Sequence, residues 1–149
     1  KTTPGFRYPE KWAVLIGGGL NHRMGLFDAI LIKDNHIDSS DTIEKAILSV
    51  EGYLKKNNFK IPVYIEVRNK EELNEVLKHT WIDRIILDNM SINDTRESVS
   101  YANGSFLIES SGNITKKNIK DYAETGVDFV SMGSITHSAS IIDMSLVKI

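Results

Sequence analysis

Short apolar runs alternate with amphipathic segments along most of this 149-residue chain. The apolar runs have the length of buried strands, and the segments between them repeat their apolar residues with helical spacing. Parallel strands need a crossover of helix length, so this alternation predicts an α/β fold with a parallel sheet. The near-constant spacing favours a parallel (β/α) barrel, incomplete here because five strands are too few to close a barrel of eight. The predicted strands end at Ile32, Ile65, Leu87, Ile108 and Val130.

Capping signals indicate where several of the intervening helices begin and end. Asp41, with Glu44 three residues later, has the pattern of a capping box before an amphipathic segment. Asn69 is expected to cap the helix that follows the second strand. Thr115 and Gly126 predict the start and the end of the helix before the last strand. The other expected helices lie at about residues 9–16 and 92–102.

Polar residues follow each predicted strand. Because the carboxyl ends of parallel strands meet at one edge of the sheet, these side chains should converge, as they do in the active sites of parallel α/β enzymes. A second polar cluster, His22 and Arg23, closely follows three glycines, whose backbone can approach a ligand closely. The residues at the predicted strand ends are Lys33, Glu66, Asp88, Ser111, Gly112, Asn113, Met132, Gly133 and Ser134.

These residue types match three parts of one substrate. Glycine and serine at the last two strand ends offer backbone amides and hydroxyls to a phosphate group. The carboxylates of Glu66 and Asp88 suit sugar hydroxyls, or a Mg²⁺ ion held partly through water. The cations of His22, Arg23 and Lys33 suit a substrate with several negative charges. Together the three groups indicate a sugar-phosphate transferase or lyase.

Each of these residues also has a simpler interpretation. Glu66 or Asp88 could be a helix N-cap or an ion-pair partner. Lys33 could be solvated, or could form a Schiff base as in the barrel aldolases. His36 and His137 could be structural histidines. The residue pattern alone leaves these alternatives open.

Composition narrows the range of partners. The formal net charge of −2 gives no reason to expect binding to nucleic acid or to an anionic membrane. The chain has no cysteine, which excludes a disulfide framework and thiolate chemistry and fits a cytoplasmic location.

The chain begins with Lys1 rather than with an initiator methionine, so we expect it to be a fragment of a longer protein.

A series of motifs, spread over almost the whole chain, resembles a single enzyme family. The motifs are found in order at residues 1–5, 17–26, 32–37, 65–67, 87–90, 109–112, 125–128 and 133–138. Together they resemble quinolinate phosphoribosyltransferase, and the combination is specific. Members of that family join quinolinate to phosphoribosyl pyrophosphate (PRPP) and release pyrophosphate and carbon dioxide. The product, nicotinate mononucleotide, is a precursor in NAD biosynthesis.

The resemblance implies a role for each candidate residue. The cations expected around the quinolinate carboxylates are Lys1, His22, Arg23 and Lys33. The acids expected to hold the ribose hydroxyls and the cofactor Mg²⁺, in part through water, are Glu66 and Asp88. The residues expected to bind the 5′-phosphate are Ser111, Gly112, Asn113, Met132, Gly133 and Ser134. These roles agree with the chemistry that the residue types indicate.

The chain departs from the family pattern at two positions. The family usually has glycine where this chain has Asn113. Asparagine tolerates left-handed backbone angles, so we expect the loop to keep its shape. Phe27 stands where smaller or polar residues are common, and we expect this change to be harmless.

The resemblance also implies parts that lie outside this chain. Residues 1–149 correspond to the barrel domain, so an N-terminal sandwich domain, the first barrel strand and an arginine before Lys1 are expected to be missing. In the family a partner subunit completes the site, so the full-length protein is expected to form a homodimer or a higher homo-oligomer. The isolated chain is then expected to be inactive. Two alternatives are a paralogue linked to molybdenum transport and a non-catalytic module that binds phosphate or nucleotide.

Overall fold

The computed structural model describes residues 1–148 as an α/β fold whose five strands form one sheet. The strands are β1 (Ile30–Ile32), β2 (Val63–Val67), β3 (Arg84–Asp88), β4 (Leu107–Ser111) and β5 (Phe129–Val130). The helices are α1 (Arg7–Ile16), α2 (Asp34–Ser39), α3 (Ile43–Asn57), α4 (Lys70–Val76), α5 (Ile92–Ala102), α6 (Ile119–Ala123) and α7 (Ser134–His137). Among residues 1–148, no helix is both long enough and apolar enough to cross a membrane.

The sheet confirms the predicted parallel α/β architecture. Its strands lie in the order β1-β2-β3-β4-β5, and every neighbouring pair is parallel. This order follows the sequence, as in the wall of a (β/α) barrel, whereas a doubly wound sheet reverses its order at a switch point. All five carboxyl ends therefore lie at the same edge of the sheet.

The chain divides into two compact units. The larger unit, residues 23–132, contains the whole sheet and helices α2 to α6. The smaller unit contains residues 1–22 together with residues from 133 onwards, and so includes α1 and α7. Within the smaller unit, the Lys11 side-chain amine donates to the carbonyl oxygen of His22 at 2.7 Å. This hydrogen bond connects His22, which closely follows the three glycines, to α1.

The two faces of the sheet bury different kinds of side chain. Along β2, Val63, Ile65 and Val67 are buried in the apolar core, whereas Tyr64 and Glu66 between them are half-buried on the opposite face. This alternation is the period of two that the geometry of a strand imposes. The second face, here named the polar face, also includes the buried apolar residues Leu31 and Ile86, but all the charged residues of the strands lie on it: Glu66, Arg84, Asp88 and Glu109. The core residues that the helices supply include Ile43, Ala46, Ile47, Leu73, Val76 and Ala102.

A buried ion pair lies on this polar face of the sheet. Arg84 Nη1 donates to Glu109 Oε2 at 2.8 Å, and the side chain of Glu109 is only 2% exposed. Ser131 Oγ donates to the other carboxylate oxygen. The Arg84 guanidinium also stacks over the rings of Tyr64 and Phe129, at 4.9 and 3.8 Å from their centroids. Side chains from four neighbouring strands, β2 to β5, thus meet at one guanidinium group.

Two aspartates at the amino-terminal edge of the sheet make the same pair of hydrogen bonds. Asp83 precedes β3, and its carboxylate accepts the backbone N–H of Val63 at 2.8 Å while its own N–H donates to the carbonyl of Val63 at 3.0 Å. Asp128 precedes β5 and makes the same two bonds to Ile108, at 2.8 and 2.9 Å. Each aspartate therefore aligns the start of its own strand with the neighbouring strand.

We expect Asp83→Ala and Asp128→Ala each to lower the free energy of unfolding by about 1–3 kcal/mol, because each leaves a backbone N–H of a buried residue without its acceptor. Urea denaturation measures this loss. Asp143→Ala is the matched control, since Asp143 is exposed and lies outside the helices and strands. Its expected effect is below about 0.5 kcal/mol. Equal stabilities for all three variants would contradict the role of the two aspartates.

The structure corrects two predicted helix starts. Thr42, and not Asp41, caps α3, because Thr42 Oγ1 accepts the Lys45 N–H at 3.2 Å. Asp41 has a left-handed backbone, with φ at 65°, and its carboxylate pairs with the Lys45 amine instead. The helix predicted from Thr115 begins later, as α6, because the Asn118 side chain accepts the Thr115 N–H at 2.7 Å and holds the preceding residues in a turn. Helices α2 and α7 are additional to the predicted elements.

Candidate active site

Four polar residues lie at the carboxyl-terminal edge of the sheet. Lys33 follows β1, Glu66 is near the end of β2, Asp88 ends β3 and Ser111 ends β4. In the sheet register Asp88 lies opposite Ser111, and Glu66 lies opposite Ile86, two residues before Asp88. Because side chains alternate between faces, Glu66, Asp88 and Ser111 share the polar face. The larger unit thus brings together the two predicted sugar-binding acids and the first residue of the predicted phosphate loop.

A salt bridge joins Lys33 to Glu66. The Lys33 amine donates to both carboxylate oxygens, at 2.9 and 3.1 Å. The lysine side chain is 41% exposed and the glutamate 16%, so the pair is open to solvent on the lysine side. The ion-pair alternative for Glu66 is therefore present in the structure, and any ligand that binds this carboxylate shares it with Lys33.

His36 holds the turn between β1 and α2. Its Nδ1 accepts the backbone N–H of Lys33 at 3.0 Å, and α2 begins at the next residue, Asp34. An accepting Nδ1 implies that the proton of the neutral ring is on Nε2. The structure thus supports a structural role for His36, whose ring holds the backbone of Lys33 in place.

A second cation at this edge, Arg68, is paired with two carboxylates. Arg68 directly follows β2, and its guanidinium donates to Glu72 at 2.6 Å and to Asp38 at 3.1 Å. Hydrogen bonds to these two carboxylates raise the pKa of Arg68 above its ordinary value. Because two carboxylates balance its charge, Arg68 is a weaker candidate than Lys33 for binding an anionic substrate.

The loop after β4 has a backbone that few residue types adopt. Gly112 and Asn113 both have positive φ values, of 94° and 51°. Glycine has no Cβ to clash in this region, and asparagine is among the residues that tolerate it. Asn113 therefore takes the left-handed conformation that was expected of it. Its role in binding phosphate stays a prediction.

The other predicted site residues are divided between the two units. The larger unit also contains Arg23 and Met132. The smaller unit contains Lys1, His22, Gly133 and Ser134. The structure therefore gathers Lys33, Glu66, Asp88 and residues 111–113 at one edge, whereas the quinolinate pocket and the pairing of the two phosphate loops stay predictions.

Asp28 shapes the loop that carries Arg23, and the sequence reasoning missed it. Its carboxylate accepts the backbone N–H groups of Met24 and Gly25, at 2.6 and 2.8 Å. Arg23 Nη1 donates to the carbonyl of Ala29 at 3.1 Å, so its half-buried guanidinium is anchored in the same loop. An aspartate close to a glycine is a common turn signal and could have revealed this role.

Two further residues at the site were also missed, Glu109 and Asn89. Glu109 lies in β4 directly after the apolar residues Leu107 and Ile108, and a charged residue inside a strand indicates a buried charge with a partner. Asn89 follows Asp88 directly and has a φ of 55°, a conformation in which asparagine is enriched.

Residues 1–147 match the family model described as quinolinate phosphoribosyl transferase, C-terminal domain. Quinolinate phosphoribosyltransferase (decarboxylating) 2, mitochondrial, of Nicotiana glauca is 45% identical over 160 residues, covering 98% of this chain and 46% of the relative. The chloroplastic nicotinate-nucleotide pyrophosphorylase (carboxylating) of Arabidopsis thaliana is 44% identical with the same coverage, 98% and 46%. The solved nicotinate-nucleotide pyrophosphorylase from Francisella tularensis is 46% identical with a TM-score of 0.83, covering 95% of this chain and 48% of that one.

The similarity in sequence and the similarity in structure point to the same family. The chain spans about half the length of the curated relatives that it matches. The family match covers almost all of the chain, and the solved relative has the same fold over 95% of it. The chain therefore belongs to the quinolinate phosphoribosyltransferase family, in which it matches the C-terminal domain.

Proposed function

We propose that the protein containing this chain transfers the phosphoribosyl group of PRPP to quinolinate, with decarboxylation, to give nicotinate mononucleotide. The observation that carries the proposal is the row of Lys33, Glu66, Asp88 and Ser111 at the carboxyl ends of four consecutive parallel strands. Active sites of parallel barrels are built at this edge. The name of one relative gives quinolinate, phosphoribosyl transfer and decarboxylation for that protein, and the family resemblance supplies PRPP as the donor.

The ribose and the 5′-phosphate of PRPP each have a chemical counterpart in the larger unit. The carboxylates of Glu66 and Asp88 accept hydrogen bonds from the ribose hydroxyls, which lie between the 5′-phosphate and the pyrophosphate. Ser111, Gly112 and Asn113 offer backbone amides and a hydroxyl to the 5′-phosphate, and Met132, Gly133 and Ser134 are proposed to complete that site. Lys33, salt-bridged to Glu66, holds this carboxylate in one orientation.

The donor set fits a Mg²⁺ ion that is held mostly by substrate and water. Within residues 1–148, no group of three or more His, Asp or Glu side chains could hold a metal ion. Asn89 binds one oxygen of Asp88, whereas Lys33 binds both oxygens of Glu66. Proteins often bind Mg²⁺ through one or two carboxylates together with substrate phosphates. Asp88 would therefore be the main ligand and Glu66 a ligand through water, and the ion would neutralise the pyrophosphate leaving group.

The proposed reaction needs positive charge near the quinolinate ring. The bond from ribose C1 to the pyrophosphate oxygen breaks, and the ring nitrogen forms a bond to C1. The 2-carboxylate then leaves as carbon dioxide, and the electron pair that remains on ring C2 takes a proton from water. Lys1, His22, Arg23 and Lys33 are the proposed cations, because preorganised positive groups stabilise negative charge that develops in a transition state.

The direct test is an assay of the full-length protein with quinolinate, PRPP and Mg²⁺, in which nicotinate mononucleotide and labelled carbon dioxide are measured. Equal amounts of both products support the proposal. Nicotinate, which lacks the 2-carboxylate, is the control substrate and should release no carbon dioxide. Consumption of neither substrate would favour the paralogue linked to molybdenum transport, and binding of PRPP without turnover would favour a non-catalytic phosphate-binding module.

We further propose that the full-length protein is a homodimer or a higher homo-oligomer, as the family resemblance implies. An exposed apolar surface supports this proposal: α1 has no buried residue, and Tyr8, Trp12 and Ile16 are 77%, 68% and 72% exposed. Trp12→Glu should shift the mass seen by sedimentation towards the monomer. An unchanged mass would argue against α1 as the covered surface.

Since two relatives are named as mitochondrial and chloroplastic, the expected cytoplasmic location also stays a prediction.

A further inference from the structure

The side chain of Asn89 connects the carboxylate at the end of β3 to the loop after β4. Asn89 Nδ2 donates to Asp88 Oδ1 at 3.0 Å, and Asn89 Oδ1 accepts from Asn113 Nδ2 at 2.8 Å. The backbone N–H of Asn89 also donates to the carbonyl of Ser111, at 2.8 Å. The orientation of the amide follows from its neighbours, because a carboxylate beside it requires the NH₂ group on that side.

Gly112 packs against the Asn89 amide so closely that no side chain fits between them. A Cβ added to Gly112 would lie 2.3 Å from Asn89 Oδ1 and 2.5 Å from Asn89 Cγ. Both distances are far shorter than a van der Waals contact. The φ of Gly112, 94°, is also one that residues with a side chain rarely adopt. The loop therefore rests directly on the amide, whose position sets the distance from the loop to Asp88.

We infer that Asn89 is a positioning residue, which orients the Asp88 carboxylate and sets its distance from residues 111–113. The inference rests on the proposed function. The ribose hydroxyls and the 5′-phosphate belong to one covalent molecule, so their separation is nearly fixed. A site that binds both ends must hold its two halves at the matching separation, and small displacements of bound groups carry a large cost in rate. Asn89 is the side chain that joins the two halves through hydrogen bonds at both of its ends.

Three substitutions separate the contacts of Asn89. Asn89→Gly removes the amide and still tolerates the left-handed backbone. Asn89→Asp keeps the shape but replaces the donor to Asp88 with a second negative charge. Asn113→Gly removes only the donor to Asn89 Oδ1. Asn103→Gly is the matched control, because Asn103 is also left-handed, with a φ of 47°, but lies at the C-terminal end of α5.

Steady-state kinetics of the full-length protein provide the test. Asn89→Gly and Asn89→Asp should raise the KM for PRPP about tenfold, as expected for loss of a hydrogen bond to a charged group. Asn113→Gly should have a smaller effect, and the KM for quinolinate should stay within about twofold in every variant. The melting temperature of Asn89→Asp, measured beside that of Asn103→Gly, shows whether the fold is kept.

A titration with inorganic phosphate, followed by NMR at the Gly112 and Asn113 amides, separates this inference from the proposed function. If the wild-type protein forms no nicotinate mononucleotide, the proposed function fails, and the titration decides the role of Asn89 at the loop. Phosphate should shift these amides in the wild-type protein and in Asn103→Gly, and much less in Asn89→Gly. Equal shifts of these amides in all three proteins would overturn the inference. It would also be overturned if both Asn89 variants had the same KM for PRPP as Asn103→Gly.

Discussion

Glu109→Ala is expected to lower the free energy of unfolding by about 3–5 kcal/mol, the usual cost of removing one partner of a buried ion pair. The substitution leaves the Arg84 guanidinium, whose side chain is 18% exposed, without its carboxylate, and it removes the acceptor of Ser131 Oγ. Within the described residues, Arg84 Nε already has no hydrogen-bond partner, so the guanidinium would lose a further hydrogen-bond acceptor. Urea denaturation of the variant beside the parent measures the loss.

Two further variants test the reason for this cost. Glu124→Ala is the control, because Glu124 forms an exposed ion pair with Lys120 at 3.6 Å, and such pairs contribute at most about 1 kcal/mol. The double substitution Arg84→Met with Glu109→Leu removes both charges, and it should recover part of the stability that Glu109→Ala loses. If the double variant is less stable than Glu109→Ala, the uncompensated charge is not the cause.

Asp88→Ala is expected to lower kcat/KM for PRPP by about 100-fold or more in the full-length protein. The proposed reason is the loss of a carboxylate that binds ribose hydroxyls and Mg²⁺, since truncation of a buried, hydrogen-bonded charge in a complex costs about 2–5 kcal/mol. Quinolinate contains neither a sugar nor a phosphate, so its affinity should change by less than about twofold. Calorimetry with each ligand measures the two affinities separately.

Glu66→Ala should also lower kcat/KM for PRPP, but this loss would have two causes. Removing Glu66 also releases the Lys33 amine from its salt bridge, which changes the charge near the proposed quinolinate pocket. Asp88→Ala is therefore the cleaner variant, and Asp121→Ala, an exposed acid on α6, is its control. Equal losses of affinity for PRPP and quinolinate in Asp88→Ala would identify Asp88 as a structural residue.

Local sequence signals predicted most of the fold. Each strand contains a short apolar run that can be recognised from adjacent residues, and all five predicted strands are present. Asn69 caps α4 as predicted, because its side chain accepts the Glu72 N–H three residues later. Asp41 failed as a cap although Glu44 completes its capping-box pattern, because Thr42, the next residue, offers a hydroxyl in the extended conformation that a cap requires.

The contacts within the site could not be predicted in the same way. Lys33 and Glu66 are separated by 33 residues, and Arg84 and Glu109 by 25. Such pairs depend on which strands are neighbours and on their register, which a one-residue shift would change. The sequence could therefore place polar groups at one edge of the sheet, but it could not assign Lys33 to Glu66 or identify the amide of Asn89 between its two neighbours.

Each of the two compact units carries one of the two tryptophans in the chain. Trp12 is largely exposed on α1 in the smaller unit, whereas Trp81 is partly buried against the core of the larger unit. Indole emission depends on contact with water, so the two side chains should emit at different wavelengths. With excitation selective for tryptophan, Trp12→Phe would leave a protein whose emission reports the surroundings of Trp81 in the larger unit. Trp81→Phe would leave one whose emission reports the surroundings of Trp12 on α1. The unfolding of each unit could then be followed separately without an added label.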